Sequence, residues 1–299
     1  MKKVLKLAAG LVILSVLVAL SGPGRVLEGM KKVGPGAFSL AALLYLSGQT
    51  VCSYRWMVTS RALGVERPFA VHVVLYLSGM FLNLFLPTAV GGDLGRAYLL
   101  AGRERWQMGF ASVVGERYAG FVVLSFILSA CSLFNGDFLP DGVRLFFLSA
   151  FPLSLAIPVI YTRLGMPLKR RFLGEKLEVF DAVGRLFTRG DVAGKALGSS
   201  LVFYLLYIAL HYVVILRVWG DMDISSLAVV VTATSLVSMI PVSPGGLGVR
   251  EGGYAFFLSL LGIPTPVGVA FGISVLAVNL FLSLVGGLLL FLLRSTQKI

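Results

Sequence analysis

Charged side chains are scarce in this chain, at 13% of 299 residues, where a soluble domain carries about a quarter. That shortage excludes an ordinary cytosolic enzyme. Polar low-complexity sequence is missing as well, which excludes disorder. Two cysteines are too few for a disulfide framework, and two histidines are few for a metal or acid–base centre built on imidazole. No G-x-x-x-x-G-K-[ST] loop occurs, so nucleotide hydrolysis by a P-loop is ruled out. Apolar residues take the place of all these: 57% of the chain is hydrophobic and mean hydropathy is +0.91. The sequence specifies an all-α polytopic membrane protein.

A spanning helix needs about 20 mostly apolar residues. Segments of that length lie at 4–21, 37–57, 109–134, 143–162, 197–219 and 266–293. The first follows Lys2, Lys3 and Lys6 and reads as a retained anchor, a cleaved signal peptide being the alternative. Two more apolar stretches, 69–103 and 225–262, are interrupted in their middles by Pro and Gly pairs. Such breaks free backbone groups that hydrocarbon cannot satisfy, so they belong where protein or a wet cavity surrounds them. Both stretches are read as re-entrant hairpins of two half-helices, with two ordinary spans apiece as the alternative.

The 26 Lys and Arg outnumber the 14 Asp and Glu. Basic residues crowd 163–196, flank 55–67 and 103–105, and mark both chain ends. The positive-inside rule then places both termini in the cytoplasm; a bacterial cytoplasmic membrane is the expected location. The excess charge is topology signal and attraction to anionic lipid, not a nucleic-acid footprint, because no stacking aromatics accompany the basic run. The apolar residues of 167–195 recur at helical spacing and suggest a cytoplasmic amphipathic linker that meets lipid or tethers two halves.

Those halves show in the broken stretches. Pro87-x-x-x-Gly91-Gly92-Asp93-x-x-Arg96 and Pro241-x-x-Pro244-Gly245-Gly246-x-x-x-Arg250 share one register at an offset of 154 residues. The same offset carries 37–57 onto 191–211 and 109–134 onto 263–288. Halves of about 37–135 and 191–293, each a span, a broken hairpin and a span, are separated by one crossing. The expected fold is therefore an inverted repeat of about six full spans plus two re-entrant hairpins, in a single domain over 1–299. Inverted repeats with discontinuous helices place a substrate site where the breaks meet. Close helix packing is the competing explanation of the glycines, though not of the arginines behind them.

The half-helices after Gly91-Gly92 and Gly245-Gly246 offer first-turn N–H groups and a helix dipole to an anion. Arg96 and Arg250 follow one turn later, and a guanidinium grips phosphate through two parallel hydrogen bonds. An arginine at the bilayer centre costs roughly 2.5–3.5 kcal/mol on insertion scales, so each needs a partner or a wet cavity. Asp93, Glu251, Glu116 and Arg117 lie near enough in sequence to serve. The acids are not duplicated: Asp93 corresponds to Leu247 and Glu116 to Ala270. They receive a cationic group or a proton, or pair structurally with the arginines. His72 and His211 lack helically spaced ligands, Cys52 and Cys131 are packing residues, and no metal or other cofactor is expected. Gln49, Asn83 and Asn279 line the cavity or bond between helices. Tyr54, Trp56, Trp106 and Trp219 fit aromatic belts.

At Leu86-Pro87-x-x-x-Gly91-Gly92-Asp93-x-x-Arg96, Gly115-Glu116-Arg117 and Pro241-x-Ser243-Pro244-Gly245-Gly246-Leu247-Gly248-x-x-Glu251, the chain resembles the integral membrane family of the lysylphosphatidylglycerol synthase transmembrane region. The family is also called flippase-like, and no soluble synthase domain accompanies it in these residues. The resemblance, over about 1–295, implies translocation of a phospholipid, an aminoacyl-phospholipid or a polyprenyl-linked lipid. It also implies a separate lipid synthase as a partner. A non-enzymatic lipid translocator is the expected function. A membrane transferase using Asp93 or Glu116 as base, an accessory subunit and a small-anion transporter are the alternatives.

Overall fold

Long apolar runs without Pro–Gly interruption fold as helices that satisfy every backbone group internally, the form hydrocarbon demands. The computed structural model describes residues 2–85, 91–160, 177–240 and 242–295, and among these there is no strand. Eleven helices occur among the described residues: α1 (Lys2–Ser21), α2 (Pro23–Ala62), α3 (Phe69–Phe85), α4 (Gly91–Ala101), α5 (Trp106–Asn135), α6 (Asp141–Ile160), α7 (Leu177–Thr188), α8 (Gly190–Val218), α9 (Ile224–Ser238), α10 (Val249–Leu260) and α11 (Thr265–Ser295). Helices α5 and α8, with Thr265–Leu292 of α11, are long and apolar enough to cross a bilayer. Helices α1 and α2 meet at a 98° bend and together form one more candidate. The protein is a multi-pass membrane protein.

Residues 23–33, which lie between the expected spans 4–21 and 37–57 and carry Arg25, Lys31 and Lys32, form the first turns of α2. Pro23 suits the start of a helix, where its missing N–H is not needed, and Val26, Gly29 and Val33 form a buried stripe. Gly29 packs on Ala270 of α11 closely enough that a Cβ would come within 2.8 Å of the Ala270 methyl. Gly34 then kinks the helix at φ 62° ahead of Pro35. The basic side chains stay on the outer face, so an amphipathic stripe makes this connection helical.

Helix α2 lies along α8. Helix α3 folds back on α4 and packs on α11, while α9 packs on α10 and α5. Each pairing in the first half has its counterpart, at the 154-residue offset, in the second. The main apolar core joins α2, α5 and α8 to α11, and a second cluster of Cys52, Trp56, Leu75, Tyr76, Leu100 and Val113 lies under α4. Trp56, expected in an interfacial belt, is fully buried there. Helix α7 sets buried Ala182 and Leu186 against α5, with Phe187 edge-on to Tyr118 at 4.8 Å. That is the described part of the expected amphipathic linker; its stretch 161–176 lies outside the described residues.

In the connection between α8 and α9, Asp223 caps α9 by accepting the Ser226 N–H at 2.7 Å. The Ser225 hydroxyl and that N–H hold its carboxyl below the usual carboxylate range.

Candidate functional site

Helical spacing turns one face of each central helix toward a shared space. Tyr45, Gln49, Cys52 and Arg55 follow one another on α2 at intervals of three or four residues, as do Tyr76, Met80 and Asn83 on α3, and on α5 Gly120 and Phe121 lie three and four residues after Arg117. With Phe203, Tyr204 and Tyr207 of α8 and Leu276, Asn279 and Leu280 of α11, they enclose a cavity of about 710 Å³. Leu11 and Leu14 of α1 close one side. Gly245, Leu247 and Arg250 bring the second broken segment to its wall. Three guanidiniums from both halves, Arg55, Arg117 and Arg250, face this space.

Beneath the wall on the first-half side runs an alternating chain of charge. Glu116, fully buried, accepts Arg55 Nε at 2.9 Å and Arg96 Nη2 at 2.9 Å, and is bonded by Arg55 Nη2 as well. Asp93 accepts Arg96 Nε at 3.0 Å and Arg117 through Nη2 at 3.0 Å and Nε at 3.1 Å. Arg55 also donates to the Ser200 hydroxyl at 2.8 Å, tying α2 to α8. Arg96 lies between aromatic faces, its Cζ 4.3 Å from the Tyr76 ring and 4.6 Å from Trp56. Arrangements of this kind hold a cation by its ring quadrupoles as well as its acids. Glycines make the room: a Cβ on Gly79 would meet the Arg96 side chain at 3.2 Å, and one on Gly120 would meet Arg55 at 3.1 Å.

In the second half, Glu251 accepts the Gly248 N–H at 2.6 Å, closing the first turn of α10, and takes Arg250 Nε at 3.3 Å. The terminal nitrogens of Arg250 make no hydrogen bond among the described residues, and the side chain is 13% exposed, on the cavity side. The turn that presents it requires glycine. Gly246 and Gly248 have φ of 73° and 78°, a region that side-chain-bearing residues avoid.

The structure thus sorts the site residues that the sequence singled out. Arg250, Arg117 and Gly245 meet at the cavity. Arg96 is 1% exposed and stands behind the wall, held by two acids and two rings, so its place is that of a support rather than of a first contact. Asp93 and Glu116 are occupied by arginine, and Glu251 by a backbone N–H and Arg250. Gly91 and Gly92 begin α4, but the Gly92 N–H already donates to Asn83 Oδ1 at 2.8 Å. Pro244 and Gly246 lie in the turn before α10, and Gly246 is buried there. Pro87 and Pro241 fall outside the described residues.

Arg55 was hidden in the sequence because it counted toward the basic flank of a loop. An arginine on the apolar face that carries Gln49 and Cys52 was the available signal. Gln49, Asn83 and Asn279 do line the cavity. His72 and His211 are buried, one beside the Ser60 hydroxyl at 2.9 Å and the other beside Tyr254 Oη at 2.6 Å. Among the described residues no group of acids, histidines and cysteines is arranged to hold a metal.

A family model described as the lysylphosphatidylglycerol synthase TM region matches residues 4–287. A protein of Methanothermobacter thermautotrophicus described as a UPF0104 membrane protein is 24% identical over 301 residues, covering 90% of this chain and 88% of its own length. A second protein of the same organism, with the same description, is 24% identical over 294 residues, covering 87% and 84%. No solved structure matches the chain.

Proposed function

Because this chain belongs to the lysylphosphatidylglycerol synthase TM-region family, we propose that it is a lipid translocator of the cytoplasmic membrane, binding the phosphate of a lipid headgroup in its central cavity. One observation carries the reading: a cavity of about 710 Å³ in an apolar membrane protein faces three guanidiniums from both halves of the chain. Positive charge at such depth is costly unless water or an anion meets it. Arg250 offers its free terminal nitrogens as a fork for phosphate, Arg117 lines the same cavity with its side chain half exposed, and apolar Leu11, Leu14, Leu276 and Leu280 give acyl chains a wall.

The exchange pattern of helix packing supports an inverted repeat. Under it, α3–α4 and α9–α10 are re-entrant hairpins entering from opposite faces, both termini are cytoplasmic, and rocking of the halves opens the cavity to each leaflet in turn. Movement runs downhill or is coupled to protons or membrane potential. A carrier is favoured over a transferase because, among the described residues, the lining holds guanidiniums, amides and hydroxyls but no carboxylate or imidazole to act as a base. A separate synthase supplies the lipid.

The test is translocation of fluorescent phospholipid in proteoliposomes. Arg250→Lys and Arg117→Lys, which keep a cation beside Glu251 and Asp93 but lose the planar fork, are expected to slow it at least tenfold. An unchanged rate in both variants would reject the phosphate site.

A further inference from the structure

Within the translocation reading, on which this step rests, we infer that the headgroup is an uncharged polyhydroxyl group, a sugar, inositol or glycerol, on a phosphodiester, and not an amine-bearing one. The first ground is the charge of the site. Four guanidiniums (Arg55, Arg96, Arg117 and Arg250) meet three carboxylates (Asp93, Glu116 and Glu251), and each carboxylate is already bonded to at least one arginine. One positive charge is left over, which matches the single negative charge of a phosphodiester. Among the described residues no carboxylate lines the cavity. An ammonium group of a lysyl or ethanolamine headgroup would therefore enter a space already positive and find no counter-ion, and like-charge juxtaposition of that kind rejects a partner.

The second ground is an unpaired polar side chain deep in the protein. Gln49 is 6% exposed, lines the cavity, and its carboxamide makes no hydrogen bond among the described residues. Its amide is open to the cavity rather than sealed in the protein, so it is free to pair with what enters. An amide offers both a donor and an acceptor, and a ligand hydroxyl answers both. Tyr204 lines the same wall, 7% exposed, with its hydroxyl likewise unpaired among the described residues. Beside it Phe203 and Tyr207 stack at 5.4 Å, a flat apolar surface for the C–H face of a ring.

Position supplies the third ground. Arg250 shares a recess with Tyr45, Tyr207 and Asn279. Ten residues of α2 separate Tyr45 from Arg55, a rise of about 15 Å, and Gln49 stands between them. A phosphate on Arg250 therefore places its headgroup against Gln49 and Tyr204.

The experiment incubates the whole protein in nanodiscs holding equimolar phosphatidylglycerol, phosphatidylinositol, phosphatidylethanolamine and lysyl-phosphatidylglycerol. The lipids retained after mild delipidation are counted by mass spectrometry. Retention of the two polyol lipids at least tenfold over the two amine lipids is expected. Equal retention, or a preference for amines, overturns the inference. Gln49→Glu, which sets an acid in the wall, is expected to raise ethanolamine-lipid retention at least fivefold relative to the parent; no rise overturns the charge argument. Soluble glycerol phosphate or inositol phosphate at millimolar concentration is expected to leave the bound lipid in place, and displacement would overturn the lipid source. Translocation of the same lipids is followed in parallel. Selective retention with no movement defeats the translocation reading alone, whereas movement of all four lipids at one rate defeats only the headgroup assignment.

Discussion

Glu116 is the residue on which the first-half charges converge, since it is fully buried and bonds both Arg55 and Arg96. A buried pair contributes little against a well-packed apolar substitute, but losing one partner strands the other charge at a cost of about 3–5 kcal/mol. Glu116→Gln strands Arg55 beside only Ser200 and leaves Arg96 to Asp93 alone. It is expected to lower the apparent melting temperature in detergent by about 10 °C, measured by thermal unfolding, whereas Asp137→Ala, at a carboxylate 83% exposed, leaves it nearly unchanged. A small shift in Glu116→Gln would mean the charge chain is not a structural unit. Part of this chain was legible beforehand: Asp93, Glu116, Arg117 and Arg96 are near in sequence and stand out in apolar surroundings. Arg55 was not, because its partners Glu116 and Ser200 lie 61 and 145 residues away and only the fold brings them together.

Apolar runs announced the helices, and the Pro–Gly pairs announced where they break. Runs at 109–134, 197–219 and 266–293 became α5, α8 and α11 with ends shifted by a few residues, and 69–103 and 225–262 each became two short helices around a break. What the sequence did not carry was the docking of α1, because glycine spacing shows that backbones approach closely but not which ones. Helix α1 sits on the second break: a Cβ at Gly10 would meet Leu247 O at 3.0 Å, and one at Gly248 would meet Gly10 O at 2.7 Å and Ile13 Cβ at 2.9 Å. Gly248 also has φ 78°. Gly248→Ala combines backbone strain of about 1–3 kcal/mol with a clash that pushes α1 off the turn. It is expected to destabilise the protein and to speed labelling of a cysteine placed at Gly10. Gly198→Ala serves as the contrast: that glycine is helical with nothing within 4 Å of its Cβ, and alanine there is expected to stabilise by about 0.5–1 kcal/mol. Equal effects from the two substitutions would show that the break tolerates a side chain.

Across the whole molecule, the halves are interlocked rather than set side by side, since α3 reaches over to α11 and α9 to α5, around a central contact of α2 with α8. Under the proposed rocking motion, opening the cavity slides α9 along α5 and, by the matching arrangement, α3 along α11. One end of the α5–α9 contact is marked by Asn135, in the last turn of α5, which donates to the Ser225 hydroxyl in the first turn of α9. Two side chains in direct contact are near enough to test for a disulfide, which forms where Cβ atoms come about 3.5–4.5 Å apart. In a Cys131→Ser background, which removes the thiol one turn away on α5, Asn135→Cys with Ser225→Cys is expected to cross-link on oxidation. The oxidised protein should retain lipid as well as the parent while translocating it at least tenfold more slowly, and reduction should restore the rate. Full translocation by the cross-linked protein would place the motion elsewhere and leave α5 and α9 as one rigid unit.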